Sequence, residues 1–318
     1  MSTGRNLINE ILEMRTRQGE IYSRLFELQG AFEKRDTKNI ELLRYFPIAI
    51  VACIESFFRS AIKSLIDSGE PYLSNAKDLF TKNQIKSDSY YDVLKALHGQ
   101  SVSIGEVISQ LPALSNLEKI DNCMNAIIGE KFLQSLVQVY DRSDVEIGKK
   151  PKVPIIQDAQ DTFKNVTKTF DFRHIFCHEM VLNNNINASD LESCFQHSAL
   201  FLKASKEFVN NILYPNAPLT QKDMNISAFK EFKRETELLI SLNNEAINLL
   251  SDKQVEKFKS ATVAWETFLK NSADIEGLTY EGGSIAPMVR AMAAAELTRD
   301  RIKQVEKLIK ELNYLSSL

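Results

Sequence analysis

Two histidines and an arginine near the middle of the chain are residue types that could act on a phosphate. His174 and His178 are four positions apart, and Arg173 directly precedes the first. On a helix, residues at i and i+4 lie one turn apart on the same face, so the imidazoles would be neighbours. A neutral imidazole can accept a proton as a general base, and a nearby cation favours that neutral form. The guanidinium fork can also bind a phosphate.

Spacing alone leaves three interpretations of this segment open. The first is a helix whose polar face simply holds two histidines. The second is a metal site, since histidines at i and i+4 also have the spacing of two metal ligands, and His98 or His197 could complete it. The third is metal-independent phosphoryl transfer on RNA.

The composition limits the class of protein. The chain has 318 residues, of which 44% are hydrophobic and 25% charged, as in a soluble globular protein with two domains of ordinary size. Glycine (11) and proline (8) are scarce, and both interrupt helices, so the sequence predicts an all-α fold. The net charge of −3 excludes a broadly basic nucleic-acid coat but allows a local basic groove.

No segment of the sequence predicts export or membrane insertion. The longest apolar run, 46–54, is too short to span a bilayer, and the first twenty residues lack the apolar centre of a signal peptide. The four cysteines are widely spaced and form no CxxC pair, which favours buried thiols in a reducing compartment. We therefore expect a cytoplasmic protein with no membrane contact and no cofactor.

Apolar periodicity predicts the helices that would position these side chains. A buried helix begins near Ile40 with Pro47 at a kink or in its first turn. Capping-box spacing predicts helix starts at Ser103 and Ser189. Further helices are predicted over 6–34, 117–139, 157–182, 223–250, 253–271 and 285–315, with a glycine-bearing loop over 277–284.

Two groups of charged residues could support the motif. Glu55 and Arg59 interrupt the buried helix at i and i+4, where they can pair with each other or serve the site. Lys149, Lys150 and Lys152 make the loop upstream of the motif basic. We interpret these lysines either as a solvated loop or as RNA-binding residues.

The segment from Arg173 to His178 resembles the R-x4–6-H signature of the HEPN superfamily. In that family a polar residue often follows the arginine, and here it is His174. The stretch from Ile54 to Ile62 is similar to an early helix of several HEPN groups. The resemblance implies a HEPN-like helical bundle, over 1–214, that acts as a metal-independent endoribonuclease.

The resemblance also implies a mechanism. The ribose 2′-OH would attack the adjacent phosphate, with His178 as general base or acid and Arg173 stabilising the phosphorane. His174 would orient the reactants or share the proton transfer. The products would be a 2′,3′-cyclic phosphate and a 5′-OH, and two protomers would form the site as a homodimer. Family members often serve as toxins or phage-defence effectors, while others only bind RNA or protein.

The C-terminal part carries a second resemblance. Its sequence contains four short matches to the LprI-like domain: Leu242-Asn243, Ala264-Trp265, Gly282-Gly283-Ser284 and Leu297-Thr298 with Arg301. The two prolines within 214–220 predict a domain boundary, so the smaller LprI-like helical domain is placed at 219–318. Exported members have cysteines that flank the glycine loop, and this segment has none. A protein partner or ligand at this domain is therefore expected rather than lysozyme inhibition.

Overall fold

The computed structural model of the chain describes residues 7–17, 21–36, 38–82, 87–99, 101–178 and 187–316. Within those ranges the regular secondary structure is helical, with an isolated bridge between Tyr140 and Pro154 and no strand, which confirms the all-α prediction. The chain divides into two compact units, Met1–Asn216 and Ala217–Leu318. In the described parts, no helix is both long and apolar enough to cross a membrane.

The first unit contains thirteen described helices of very different lengths. They are α1 (Leu7–Arg17), α2 (Ile21–Glu33), α3 (Ile40–Leu43), α4 (Tyr45–Asp67), α5 (Tyr72–Asn75), α6 (Lys77–Lys82), α7 (Ser87–His98), α8 (Ile104–Ser109), α9 (Leu117–Ile128), α10 (Phe132–Leu136), α11 (Arg142–Glu146), α12 (Ala159–His178) and α13 (Ala188–Leu213).

Helix α4 forms the centre of this unit. It is apolar on most sides, so α2, α8, α12 and α13 can all pack around it and remove its side chains from water. Phe58 on α4 contacts Phe132 and Phe201 edge-on or tilted, at centroid distances of 5.7 Å. Pro47 lies in the first turn of α4, where its missing N–H removes no helical hydrogen bond.

Helices α12 and α13 pack as an antiparallel pair through small polar residues. Thr169 and Ser198 are fully buried, with their hydroxyl oxygens 3.0 Å apart. Nearer the start of α12, His197 Nδ1 lies 3.0 Å from the Thr162 hydroxyl, and Asp161 is paired with His197 Nε2. These contacts along the pair fix the direction in which α12 leads to the histidine motif.

Two predicted element boundaries in the first unit are wrong. The helix predicted over 117–139 is split, because Gly129 adopts a left-handed conformation at φ +75° and ends α9. Helix α13 is capped by Asn187, whose side chain accepts from the Asp190 N–H, rather than by Ser189. The Ser103–Glu106 capping box at α8 is confirmed. The prediction of one continuous first helix over 6–34 depends on residues 18–20, which lie outside the described residues. The predicted end of the motif helix at 182 falls in 179–182, which also lie outside them.

Over its described residues, the second unit consists of three long helices. They are α14 (Gln221–Leu249), α15 (Asp252–Leu278) and α16 (Ala286–Ser316), and both α14 and α15 pack on α16. A small core of Leu239, Ala246, Ile302, Val305 and Ile309 joins α14 to α16. Trp265 of α15 is half-buried against this core, as expected for an anchor. Gly282, at φ +77°, lies in the turn before α16.

Candidate active site at the end of helix α12

The two histidines of the motif lie side by side at the C-terminal end of α12. The ring centroids of His174 and His178 are 5.1 Å apart with an interplanar angle of 51°, and both side chains are exposed. The spacing of four residues explains this, since one helical turn brings the side chains over each other. Two imidazoles in this position can exchange protons with a ligand that approaches the helix end.

Arg173 lies on a different side of α12 from the histidines. It is half-buried, and the surrounding positions Thr169, Phe170 and Phe172 are buried in the core. The helical step of about 100° per residue accounts for this difference. Its long side chain would have to extend along the helix to meet a phosphate held by His178.

Two stacked aromatic rings on the last part of α12, each with a nearby cation, were not indicated by the sequence. Phe172 and Phe176 stack with centroids 5.7 Å apart. The Arg44 guanidinium lies over the Phe176 ring at 5.6 Å, and Lys168 Nζ lies 5.4 Å from the Phe172 ring. Arg44 thus lies at the same end of α12 as the motif, but Phe176 is two positions before His178 and therefore about 200° around the helix from it. Cation–π contacts of this kind hold a charged group at a fixed place.

Only some of the N–H groups of the Arg44 guanidinium have hydrogen-bond partners. Its Nη1 donates to Glu41 at 3.0 Å, but Nε and Nη2 are buried without a hydrogen-bond partner among the described residues. An anion could accept hydrogen bonds from these N–H groups only if the side chain moved out of its buried position. Arg44 is 129 positions from Arg173 in sequence. Only the packing of the start of α4 against the end of α12 brings it near, so no local motif could have revealed it.

The predicted basic loop is at the other end of α12. Lys149, Lys150 and Lys152 precede α12, whereas the histidines end it, so the length of the helix separates them by about 30 Å. Lys150 Nζ pairs with Asp144 at 2.6 Å, and Lys152 Nζ lies over the Tyr140 ring at 4.5 Å. Within one chain, the lysines and the motif do not form one site.

Glu55 and Arg59 lie in the middle of α4, and Arg59 contacts α8. The Arg59 guanidinium donates to the backbone oxygen of Ser109 at 2.7 Å, which ties α4 to α8. Burial lowers the pKa of Arg59, and the charge of Glu55 partly offsets that effect. Arg59 therefore has a structural role, because it connects α4 to α8. The negative charge of Glu55 favours the charged form of Arg59.

Metal ligands do not converge on the motif in the described parts of the chain. No group of three or more histidine, cysteine, aspartate or glutamate residues there has the arrangement to hold an ion. His197 is paired with Asp161 on α12, and His98 ends α7. Cys177 is exposed on α12, while the other three cysteines are buried.

Comparison with known proteins identifies one part of the chain. The family described as lysozyme inhibitor LprI matches residues 215–305. That range contains α14, α15 and most of α16, so the C-terminal unit is LprI-like, as its sequence predicted. No HEPN family match is found, and the likeness of 1–214 to that superfamily stays a prediction. No curated protein and no solved structure matches the chain.

Proposed function

We propose that the chain is a metal-independent endoribonuclease of the HEPN type whose active site lies at the end of α12. The observation that supports this proposal most is the pair of exposed imidazoles of His174 and His178, 5.1 Å apart, on the same helix as Arg173. This is the set of groups needed to move protons and to hold a phosphate. A toxin or phage-defence role is part of the same proposal.

In this mechanism the ribose 2′-OH loses its proton and attacks the neighbouring phosphorus. His178 accepts the proton. The departing 5′ oxygen then takes a proton either from protonated His174 or, where His174 only orients the 2′-OH, from the protonated His178. Arg173 neutralises the extra charge on the pentacoordinate phosphorus. The P–O5′ bond then breaks and leaves a 2′,3′-cyclic phosphate and a 5′-OH.

The active form is proposed to be a homodimer with a composite site. A two-fold axis near the end of α12 would bring two histidine pairs to one cleft. About 30 Å of helix separates the lysines at 149, 150 and 152 from the scissile position, so they cannot contact the phosphate that is cleaved. We propose that they bind phosphates further along the RNA instead. They should therefore influence RNA affinity and its salt dependence more than the cleavage step.

RNA cleavage in EDTA tests the proposal directly. Purified protein is incubated with end-labelled RNA, and products are examined for 2′,3′-cyclic phosphate ends. We expect cleavage that EDTA leaves unchanged. His178→Ala and Arg173→Ala should each reduce the single-turnover rate by about 100-fold or more, since each removes one acid–base or charge-stabilising group.

His98→Ala is the matched control, because His98 is an exposed histidine at the end of another helix, α7. It should cleave RNA like the unchanged chain. Persistent cleavage in both motif variants would refute the assigned residues. Loss of cleavage in EDTA, with recovery on metal addition, would instead favour a metal-dependent hydrolase that uses His174 and His178. RNA binding without any cleavage would favour a non-catalytic HEPN-type module.

A second function is proposed for the C-terminal unit, because residues 215–305 match the LprI family. We propose that this unit binds a protein partner or ligand and regulates the N-terminal site. Removal of residues 217–318 should then change the rate or the trigger of RNA cleavage. An unchanged rate, trigger and set of co-purified proteins would contradict this role.

A further inference from the structure

Helix α15 has two apolar stripes, and only one of them packs inside the unit. The inner stripe includes Phe258, Trp265, Ala273 and Gly277, which are half-buried or buried on the side of α16 and the core. The outer stripe is exposed along its whole length. Its members are Ala261, Ala264, Phe268, Asn271, Ile275 and Leu278.

The outer stripe contains large side chains in contact with water. Phe268 is 55% exposed, Ile275 is 67% exposed and Leu278 is 52% exposed. Scattered exposed apolar residues are ordinary on a protein surface, but a contiguous line of them indicates an interaction surface. Here the line, interrupted by the polar Asn271, continues for nearly five turns of a helix that is already folded.

The spacing of the outer stripe indicates that its partner is a helix. Successive members are separated by three, four, three, four and three residues, which is the alternation of a heptad seam. A repeat of 3.5 residues keeps one line of side chains facing another helix, whereas a flat partner surface has no such requirement. Asn271 occupies one seam position, where a polar residue costs affinity.

The distribution of side-chain size along the seam fits a second copy of the same helix in the opposite direction. The first half of the seam is small, with Ala261 and Ala264, and the last part is large, with Ile275 and Leu278. In an antiparallel pair, each alanine faces one of the large residues. Small residues opposite large ones pack without gaps. A parallel pair would set alanine against alanine and leave voids.

Charge at the ends of the seam agrees with this alignment. Lys257 lies one turn before the seam, and Glu281 lies just after it, and both are exposed. The antiparallel alignment that centres the seam brings Lys257 of one copy close to Glu281 of the other, at both ends. Opposite charges at such flanking places set orientation and partner choice.

We propose that α15 is a self-association surface that pairs antiparallel with α15 of a second copy of this chain. In the pair, Ala264 of one copy lies opposite Ile275 of the other, and Phe268 lies opposite Asn271. The helix is folded before it pairs, so only side chains have to be ordered on association. The inference uses only residues of the C-terminal unit and does not rest on the proposed RNA cleavage.

Self-association of the full chain, measured by sedimentation velocity from about 1 µM to about 100 µM, tests the surface. Phe268→Lys and Ile275→Lys place charges in the seam and should each weaken association by about tenfold or more. Phe229→Lys and Ile240→Lys are matched controls on α14, where the native side chains are 60% and 54% exposed. They should leave association unchanged. A monomer at every concentration would overturn the proposal.

Cysteine cross-linking tests the alignment and separates it from any dimer formed by the first unit. Ala264→Cys chains mixed with Ile275→Cys chains should give a disulfide-linked pair under mild oxidation. Ala264→Cys alone should not, because its two copies would be about 16 Å apart along the axis. The unchanged chain controls for its own exposed Cys177. Absence of the mixed cross-link overturns the proposal, and RNA cleavage measured on the same samples reports independently on the proposed nuclease.

Discussion

The carboxylate of Glu106 is largely buried and accepts several hydrogen bonds. Arg15 donates from Nε to Oε1 at 2.7 Å and from Nη2 to Oε2 at 2.5 Å. The Ser103 N–H donates to the same carboxylate at 2.8 Å. The hydrogen bond from Arg15 is the largest influence on the pKa of Glu106 and lowers it, although burial acts in the opposite direction.

This pair should make stability depend on pH in the acid range. A carboxyl whose folded pKa is depressed stabilises the fold above its unfolded pKa of about 4.5, and that contribution is lost as pH falls through the folded pKa. Glu106→Gln should therefore lower the free energy of unfolding by about 1 kcal/mol at neutral pH, a modest value because water screens the half-exposed Arg15. Urea unfolding followed by circular dichroism measures the effect.

The difference between Glu106→Gln and the unchanged chain should shrink as pH falls below about 4.5. Glu27→Gln is the control, because Glu27 forms an exposed ion pair with Arg24. Its effect should be less than about 0.5 kcal/mol at any pH. A Glu106→Gln deficit that stays constant down to about pH 3 would rule out the carboxylate charge as its cause.

The hydroxyl pair of Thr169 and Ser198 is a second residue-scale feature, because it holds the helix that ends in the motif. Thr169 Oγ1 donates to the Asn165 carbonyl oxygen at 2.8 Å and lies 3.0 Å from Ser198 Oγ. Thr169→Val keeps the shape but leaves the buried Ser198 hydroxyl without this partner. We expect Thr169→Val to lower the free energy of unfolding by about 1–3 kcal/mol.

Adding Ser198→Ala to Thr169→Val should recover part of that loss, since both polar groups are then absent. The double-mutant cycle in urea measures the coupling, with an unchanged dependence on urea as evidence of an intact fold. Strictly additive losses would show that the two hydroxyls act separately.

At the scale of the element, Gly277 explains how α15 and α16 approach each other. A Cβ at this position would overlap the side chain of Arg290, which crosses α15 to reach Asp274 at 3.4 Å. The glycine-bearing loop predicted over 277–284 begins too early. The structure corrects this: Gly277 is inside α15, which continues to Leu278, and its role is close packing.

Gly277→Ala should consequently destabilise the second unit by about 1 kcal/mol, because Arg290 must move and its ion pair with Asp274 is lost. In an Arg290→Ala background, Gly277→Ala should become neutral or stabilising, since alanine favours a helix by about 1 kcal/mol over glycine. Thermal unfolding of the four variants measures this reversal. Equal losses in both backgrounds would mean that the overlap with Arg290 is not the cause.

Helices were predictable where local signals act alone, and boundaries were not predictable where tertiary contacts decide. The Ser103–Glu106 capping box could be identified because both partners lie within one turn. The same spacing at Ser189 and Glu192 wrongly predicted a helix start capped by Ser189. Asn187 caps the helix instead, and Glu192 forms an ion pair with Arg35 of the region after α2 at 2.7 Å. Periodicity cannot distinguish such competing partners.

At the scale of the whole molecule, local sequence patterns likewise predict only part of the candidate site. The adjacency of His174 and His178 follows from helical spacing and could be predicted. The approach of Arg44 to Phe176 depends on how α4 packs against α12, which no local pattern encodes. The distance of the lysine loop from the motif likewise follows from the length of α12, since nearness in sequence becomes separation along a helix.

The two units have separate cores, and this permits a test of their independence. The core of the first unit surrounds α4, where Ile54 is fully buried, while the second has its own core with Trp265 against it. The chain has one tryptophan, so tryptophan fluorescence reports only on the second unit. Far-ultraviolet circular dichroism reports on helices of both.

Ile54→Ala leaves a cavity in the first core and should lower its stability by about 2–5 kcal/mol. If the units unfold independently, urea titration will show an earlier loss of part of the helical signal, while the fluorescence midpoint of Trp265 stays unchanged. Ile302→Ala in the second core is the matched variant and should shift the fluorescence midpoint instead. A fluorescence midpoint that moves with Ile54→Ala would mean that the two cores unfold as one cooperative system.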